Sequence, residues 1–144
     1  MSMIKLEDVS YHYPQGPQAL HQIDFELSPK SRTAIVGPNG AGKTSLLQAL
    51  SGLIEVQGKI LIDEQEMSSQ HADQIRLKMS YVFQNPDEML FMPTVIEDVC
   101  FGLDTLGLNQ DEALKRGQYA LEQMSLQNFG QRSAHHLSYG ERRK

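Results

Sequence analysis

Gly37-Pro38-Asn39-Gly40-Ala41-Gly42-Lys43-Thr44 is the stretch that decides the fold. It reads G-x-x-x-x-G-K-T, and this spacing meets one chemical need, the holding of a triphosphate. Glycines at 37, 40 and 42 let the main chain turn sharply and approach a ligand. Successive N–H groups from Gly37 through Pro38, Asn39, Gly40 and Ala41 to Ser45 then face inward on phosphate oxygens, proline alone lacking a donor. Lys43 is placed to reach the β- and γ-phosphates, and the Thr44 hydroxyl to ligate Mg²⁺. The flanks agree. Thr33-Ala34-Ile35-Val36 predicts a short buried strand before the loop, and Ser45 to Leu50 predicts a helix after it, ended by Gly52.

Upstream, Ile23, Phe25 and Leu27 alternate with Asp24, Glu26 and Ser28, the period of a strand with one buried face. Ile4 and Leu6 predict its partner, with a turn at Pro14-Gln15-Gly16-Pro17. Downstream, Lys59–Ile62 and Met79–Phe83 predict two more strands, with a short helix over Gln70–Leu77 between them. After Phe83 the character changes. Gln84-Asn85-Pro86-Asp87-Glu88 is a polar loop, and Thr94-Val95-Ile96-Glu97 is a T-x-x-E capping box opening a helix to about Gly102. Asn109 caps a second helix whose apolar stripe is Ala113, Leu114, Ala120, Leu121 and Met124. Ser138 and Glu141 form an S-x-x-E box for a third helix. The expected division is a nucleotide-binding core over 1–92 and a helical subdomain over 93–144.

The chain has 144 residues and a net charge of −5. A mildly acidic balance argues against a general nucleic-acid binder. The basic cluster Arg142-Arg143-Lys144 reads as a solvated helix face. With Cys100 the sole cysteine, no internal disulfide is possible. No window approaches the roughly 18 consecutive apolar residues of a membrane span. The first residues lack a secretory apolar stretch, so the chain reads as soluble, with any membrane role reached through a partner. His135-His136 reads as loop, since no further Cys/His set accompanies it.

Taken in order, these residues resemble the ATP-binding subunit of ABC transporters, of the energy-coupling-factor or cobalt/nickel-import type. The phosphate loop is the general element. Gln84-Asn85-Pro86-Asp87, Leu90-Phe91, Pro93-Thr94-Val95, Glu97-Asp98-Val99 and Phe101-Gly102 look like this import subgroup. Leu137-Ser138-Tyr139-Gly140-Glu141 resembles the family signature. The resemblance implies an α/β P-loop NTPase: a β-rich front carrying the phosphate loop, a helical subdomain, and further core strands beyond Lys144. It implies ATP and Mg²⁺ as ligands, Tyr13 as the aromatic stacking on adenine, and Gln84 as the sensor of Mg²⁺ and attacking water. Ser138, Gly140 and Glu141 would reach across a homo- or heterodimer to the other copy's γ-phosphate. The region Gln84–Glu88 would touch a membrane-embedded transporter subunit, placing the chain on the cytoplasmic face of the membrane. Cobalt, nickel and vitamins all fit the subgroup as cargo.

Two signature positions depart from the family. Tyr139 stands where glycine is usual, and Glu141 where glutamine is usual. A glutamate near phosphate is unfavourable unless it turns back to cap its helix. The family's apolar strand ending in Asp-Glu (the Walker B pair) and its switch histidine are absent, since the chain stops at Lys144. The expectation is therefore a chain truncated after the signature, with weak or no turnover alone and a partner-dependent or aggregation-prone fold. Ile60-Leu61-Ile62-Asp63-Glu64 mimics the missing strand, but it precedes Gln84 and reads as a strand ending in a polar hairpin turn. Two rival functions remain: a nucleotide-binding or interaction module without hydrolysis, and a small metabolite kinase using Asp63.

Overall fold

A computed structural model describes residues 3–104 and 106–144. The chain divides into two units, Met1–Tyr81 and Val82–Lys144, a boundary close to the change of character after Phe83 and ahead of the expected division at 92/93.

In the first unit, strands β1 (Ile4–His12), β2 (Gln18–Leu27), β3 (Gln57–Ile62) and β4 (Gln65–Glu66) form an antiparallel sheet in the order β2-β1-β3-β4. Leu6 stands opposite Phe25 on one side and Ile60 on the other, so the period-two pattern puts apolar residues in one layer. Helix α1 (Lys43–Leu50) contributes Leu46, Ala49 and Leu50 to a core with Leu6, Val9, Leu20, Ile60 and Ile62. Helix α2 (Ala72–Arg76) adds Ile75, which is fully buried. Its Arg76 donates to the Gly52 carbonyl just past the end of α1, at 2.7 Å. Asp63 and Glu64 join β3 to β4 as a two-residue turn with φ of 49° and 66°. Both left-handed values suit the primed turn that matches strand twist. Asp63 also pairs with Lys78 at 3.5 Å.

Two expected strands do not form. Residues 33–36 and 79–83 have no regular strand structure. Strand is a property of a ladder, and the only ladders among the described residues join β1 to β4. The apolar run before the phosphate loop is accordingly open: Val36 is 87% exposed.

In the second unit, a 3-10 turn (Pro86–Glu88) precedes helices α3 (Val95–Asp104), α4 (Gln110–Gln123) and α5 (Tyr139–Arg142). The capping boxes are made. The Glu97 carboxylate accepts from the Thr94 amide at 3.0 Å, and Asn109 Oδ1 accepts from the Glu112 amide at 2.9 Å. Val95, Ile96, Leu121, Leu126, Ala134 and Leu137 form the core.

The buried stripe of α4 differs from the expected one. It is Ala113, Gly117 and Leu121, while Leu114, Ala120 and Met124 are exposed. Gly117 has no side chain to register as apolar, yet it is where the helices meet: a Cβ there would lie 2.5 Å from Cys100 Sγ and 3.1 Å from Ile96 Cδ1. Gly117→Ala is expected to cost about 1–3 kcal/mol by overpacking. A drop in melting temperature checks this; an unchanged or raised one contradicts the close approach.

Candidate functional site

The phosphate-loop stretch folds as a nest at the head of α1. Gly40 and Gly42 have φ of 81° and 84°, the left-handed region where a side chain is strained. Gly42 is the N-cap of α1 and has no side chain to satisfy the first turn. The first i→i−4 bond is Leu46 N–H to Gly42 C=O at 2.8 Å. The amides of Lys43, Thr44 and Ser45 therefore lie ahead of the helix ladder, and no acidic residue occupies that turn. An anion is the natural partner for such an end. Residues 37–41 are exposed, so the mouth of the nest is open.

Lys43 folds back over the loop. Its Nζ donates to the Gly37 carbonyl at 2.9 Å and the Pro38 carbonyl at 2.7 Å. The ammonium thus stays within the nest on neutral acceptors that a phosphate, being charged, outcompetes. Thr44, the second residue of α1, is exposed. Ser45 is buried, and its hydroxyl shares a hydrogen bond with the Tyr13 hydroxyl at 2.9 Å. The Tyr13 ring meets Tyr11 edge-on at 4.9 Å and remains partly exposed. The first unit therefore gathers Tyr13 and residues 37–45.

Gln84, Ser138, Gly140 and Glu141 belong to the second unit. Gln84 is exposed just before Asn85, whose side chain accepts from the Asp87 amide at 3.2 Å and starts the 3-10 turn. Ser138 caps α5 with a complete box. Its Oγ accepts from the Glu141 amide at 3.3 Å, and the Glu141 carboxylate accepts from the Ser138 amide at 2.7 Å. Glu141 thus turns back onto its own helix.

Hydrogen bonding to the Glu141 carboxyl, from the Ser138 side chain first and the Ser138 amide second, holds it below its ordinary 4.5. A depressed folded value means that the charge supports α5 above 4.5, and that this support is lost as pH falls through the lowered value. In an acid titration, the Ser138 amide resonance is expected to move with a midpoint below pH 4.5, a movement lost in Glu141→Ala. Movement centred at the ordinary glutamate value would contradict the box.

One contact had no local signal. Arg142 pairs with Asp87, 55 residues away, joining α5 to the 3-10 turn after Gln84. The side chain of Arg142 is 22% exposed, so the expectation of a solvated basic face fails for it. His135 and His136 sit exposed on a 3-10 turn (Ala134–His136). Among the described residues no group of three or more His, Cys, Asp or Glu gathers as for a metal.

Comparison with known proteins agrees with this geometry. The profile of the family described as ABC transporter matches residues 20–144. The energy-coupling factor transporter ATP-binding protein EcfA of Methanothermobacter thermautotrophicus is 43% identical over 99% of this chain and 47% of its own length. A putative ABC transporter ATP-binding protein of Streptomyces avermitilis is 43% identical over 94% of this chain and 52% of its own. The chain spans about half the length of the curated relatives it matches. Among solved structures, cbiO1 from Clostridium perfringens, described as part of the ABC transporter complex cbiONQ, superposes with TM-score 0.82 and 33% identity, over 99% of this chain and 58% of that one. A dimeric ATP-binding cassette in a post-hydrolysis state, bound to ADP and Pi, has TM-score 0.83 at 24% identity, over 97% and 65%, a likeness of fold.

Proposed function

We propose a function from the premise that this chain belongs to the ABC transporter family: it is the ATP-binding portion of an importer subunit of the energy-coupling-factor or cobalt/nickel type. The observation that carries this is the nest at residues 37–45, with Lys43 held over it by two main-chain carbonyls. A nucleotide's phosphates take the place of those carbonyls on Lys43. They receive the amides ahead of α1, and the base stacks on the exposed part of Tyr13. Thr44 suits Mg²⁺, an ion that keeps most of its shell as water and phosphate oxygens and asks the protein for one or two oxygens. When bound, Mg²⁺ neutralises charge developing at the β–γ bridge.

Hydrolysis belongs to the dimer of complete subunits, each site using one copy's loop and the other's signature. Gly140 supports that arrangement. It sits in helical backbone, and a Cβ there would meet nothing within 4 Å. Among the described residues no contact calls for glycine there, whereas close approach of an outside ligand does. Glu141 turns its carboxylate onto the Ser138 amide, which holds that charge against its own helix instead of leaving it free to swing toward phosphate. The Gln84–Glu88 turn, exposed at all its residues but Pro86, is the contact for a membrane-embedded subunit, which selects the cargo, a metal ion or a vitamin. The 144 residues divide accordingly into a nucleotide-binding core and a helical coupling subdomain at the cytoplasmic face of the membrane.

Affinity purification of the tagged chain from solubilised membranes of its host tests this reading. Labelling by an azido-ATP probe together with retention of an integral membrane protein is expected. Labelling without any retained membrane protein would overturn the transporter assignment.

A further inference from the structure

Tyr13 and Ser45 lie 32 residues apart, one just after β1 and the other on the first turn of α1, yet their hydroxyls are 2.9 Å apart. Ser45 is 5% exposed, and it is the buried polar residue of the described chain. A purely base-stacking tyrosine has no use for this bond; a phenylalanine presents the same face. We propose that the Tyr13 hydroxyl serves the phosphate half of the site: it orients the Ser45 hydroxyl as a proton donor to the bound phosphate chain. This rests on the nucleotide-binding reading above and assigns Tyr13 a second, positioning role.

Hydroxyl chemistry sets the direction. Each hydroxyl has one proton and two acceptor positions, and the phenol is the stronger acid of the two. Tyr13 therefore donates to Ser45 Oγ, which leaves the serine proton free for an anion. Ser45 sits in the turn whose amides precede the helix ladder, the end where phosphate charge is favoured. An anion at the end of such a donor chain polarises both bonds in the same sense and strengthens each. The Tyr11 ring, edge-on to Tyr13 at 4.9 Å, limits the swing of the phenol and keeps its oxygen over Ser45. The base platform and the phosphate nest are thereby tied by one bond.

A ligand with phosphates and no base separates the two roles. Magnesium tripolyphosphate and MgATP are each titrated calorimetrically into the wild-type chain, Tyr13→Phe, Ser45→Ala and the double variant, with melting curves to verify folding. Tyr13→Phe keeps the ring, its contact with Tyr11 and the stacking face. It is expected to weaken tripolyphosphate about three- to tenfold, and MgATP by the same factor. Ser45→Ala is expected to lose at least as much, and the double variant no more than Ser45→Ala, because both remove one shared chain of bonds. Wild-type tripolyphosphate affinity in Tyr13→Phe, or losses that multiply in the double variant, would overturn the positioning role alone. A wild-type chain that binds neither ligand would overturn the nucleotide reading and this role together.

Discussion

Lys43→Ala is expected to weaken MgATP binding roughly 10- to 150-fold, the worth of about 1.5–3 kcal/mol for hydrogen bonds from a charged donor. The ammonium is already over the nest, on the Gly37 and Pro38 carbonyls, so little ordering remains to be done when phosphate arrives. The same bonds brace the loop. Some of the effect therefore comes from a looser nest, and a melting curve separates the contributions: the loop is exposed, so global stability changes little. Calorimetric titration of the two proteins is the check. An affinity within twofold of wild type would mean that Lys43 does not reach the ligand.

Gly42→Ala is expected to damage both the site and the fold. The residue has φ of 84°, and its Cβ would stand 2.3 Å from the Ala19 carbonyl oxygen of β2. Left-handed backbone costs an ordinary residue about 1–2 kcal/mol. Relief of the clash requires β2 and α1 to part, for which overpacking costs of about 1–3 kcal/mol apply. Together these reach about 2–5 kcal/mol, a large share of the roughly 5–15 kcal/mol that holds a domain. A fall of about 10 °C or more in melting temperature is expected, with loss of MgATP binding at any temperature. A variant that melts and binds like wild type would refute the placement of the loop against β2.

What was legible in the sequence was local. The phosphate loop is read within eight residues, and both Thr94-to-Glu97 and Ser138-to-Glu141 are read within four, because the partners of those bonds are near neighbours in the chain. The alternation in β1 and β2 was legible for the same reason. What escaped needed distance. The Tyr13–Ser45 and Arg142–Asp87 bonds span 32 and 55 residues, and no spacing rule joins such pairs. Gly117 escaped because a hydrophobic pattern counts side chains, and its part in the α3–α4 contact is to have none. The Thr33–Val36 and Met79–Phe83 segments were over-read: apolar composition marks a segment that can pair, and pairing depends on a neighbour that the segment itself does not encode.

The central claim is that the main-chain amides from Gly37 to Ser45 receive the phosphates of a nucleotide. Amide proton–nitrogen correlation spectra of the isotope-labelled chain, recorded while an Mg²⁺-bound non-hydrolysable ATP analogue is added, test it most directly. The account predicts saturable shifts concentrated on Gly40, Ala41, Gly42, Lys43, Thr44 and Ser45, absent in Lys43→Ala at the same ligand concentration. Shifts scattered over other segments, or none while the chain is demonstrably folded, would contradict it.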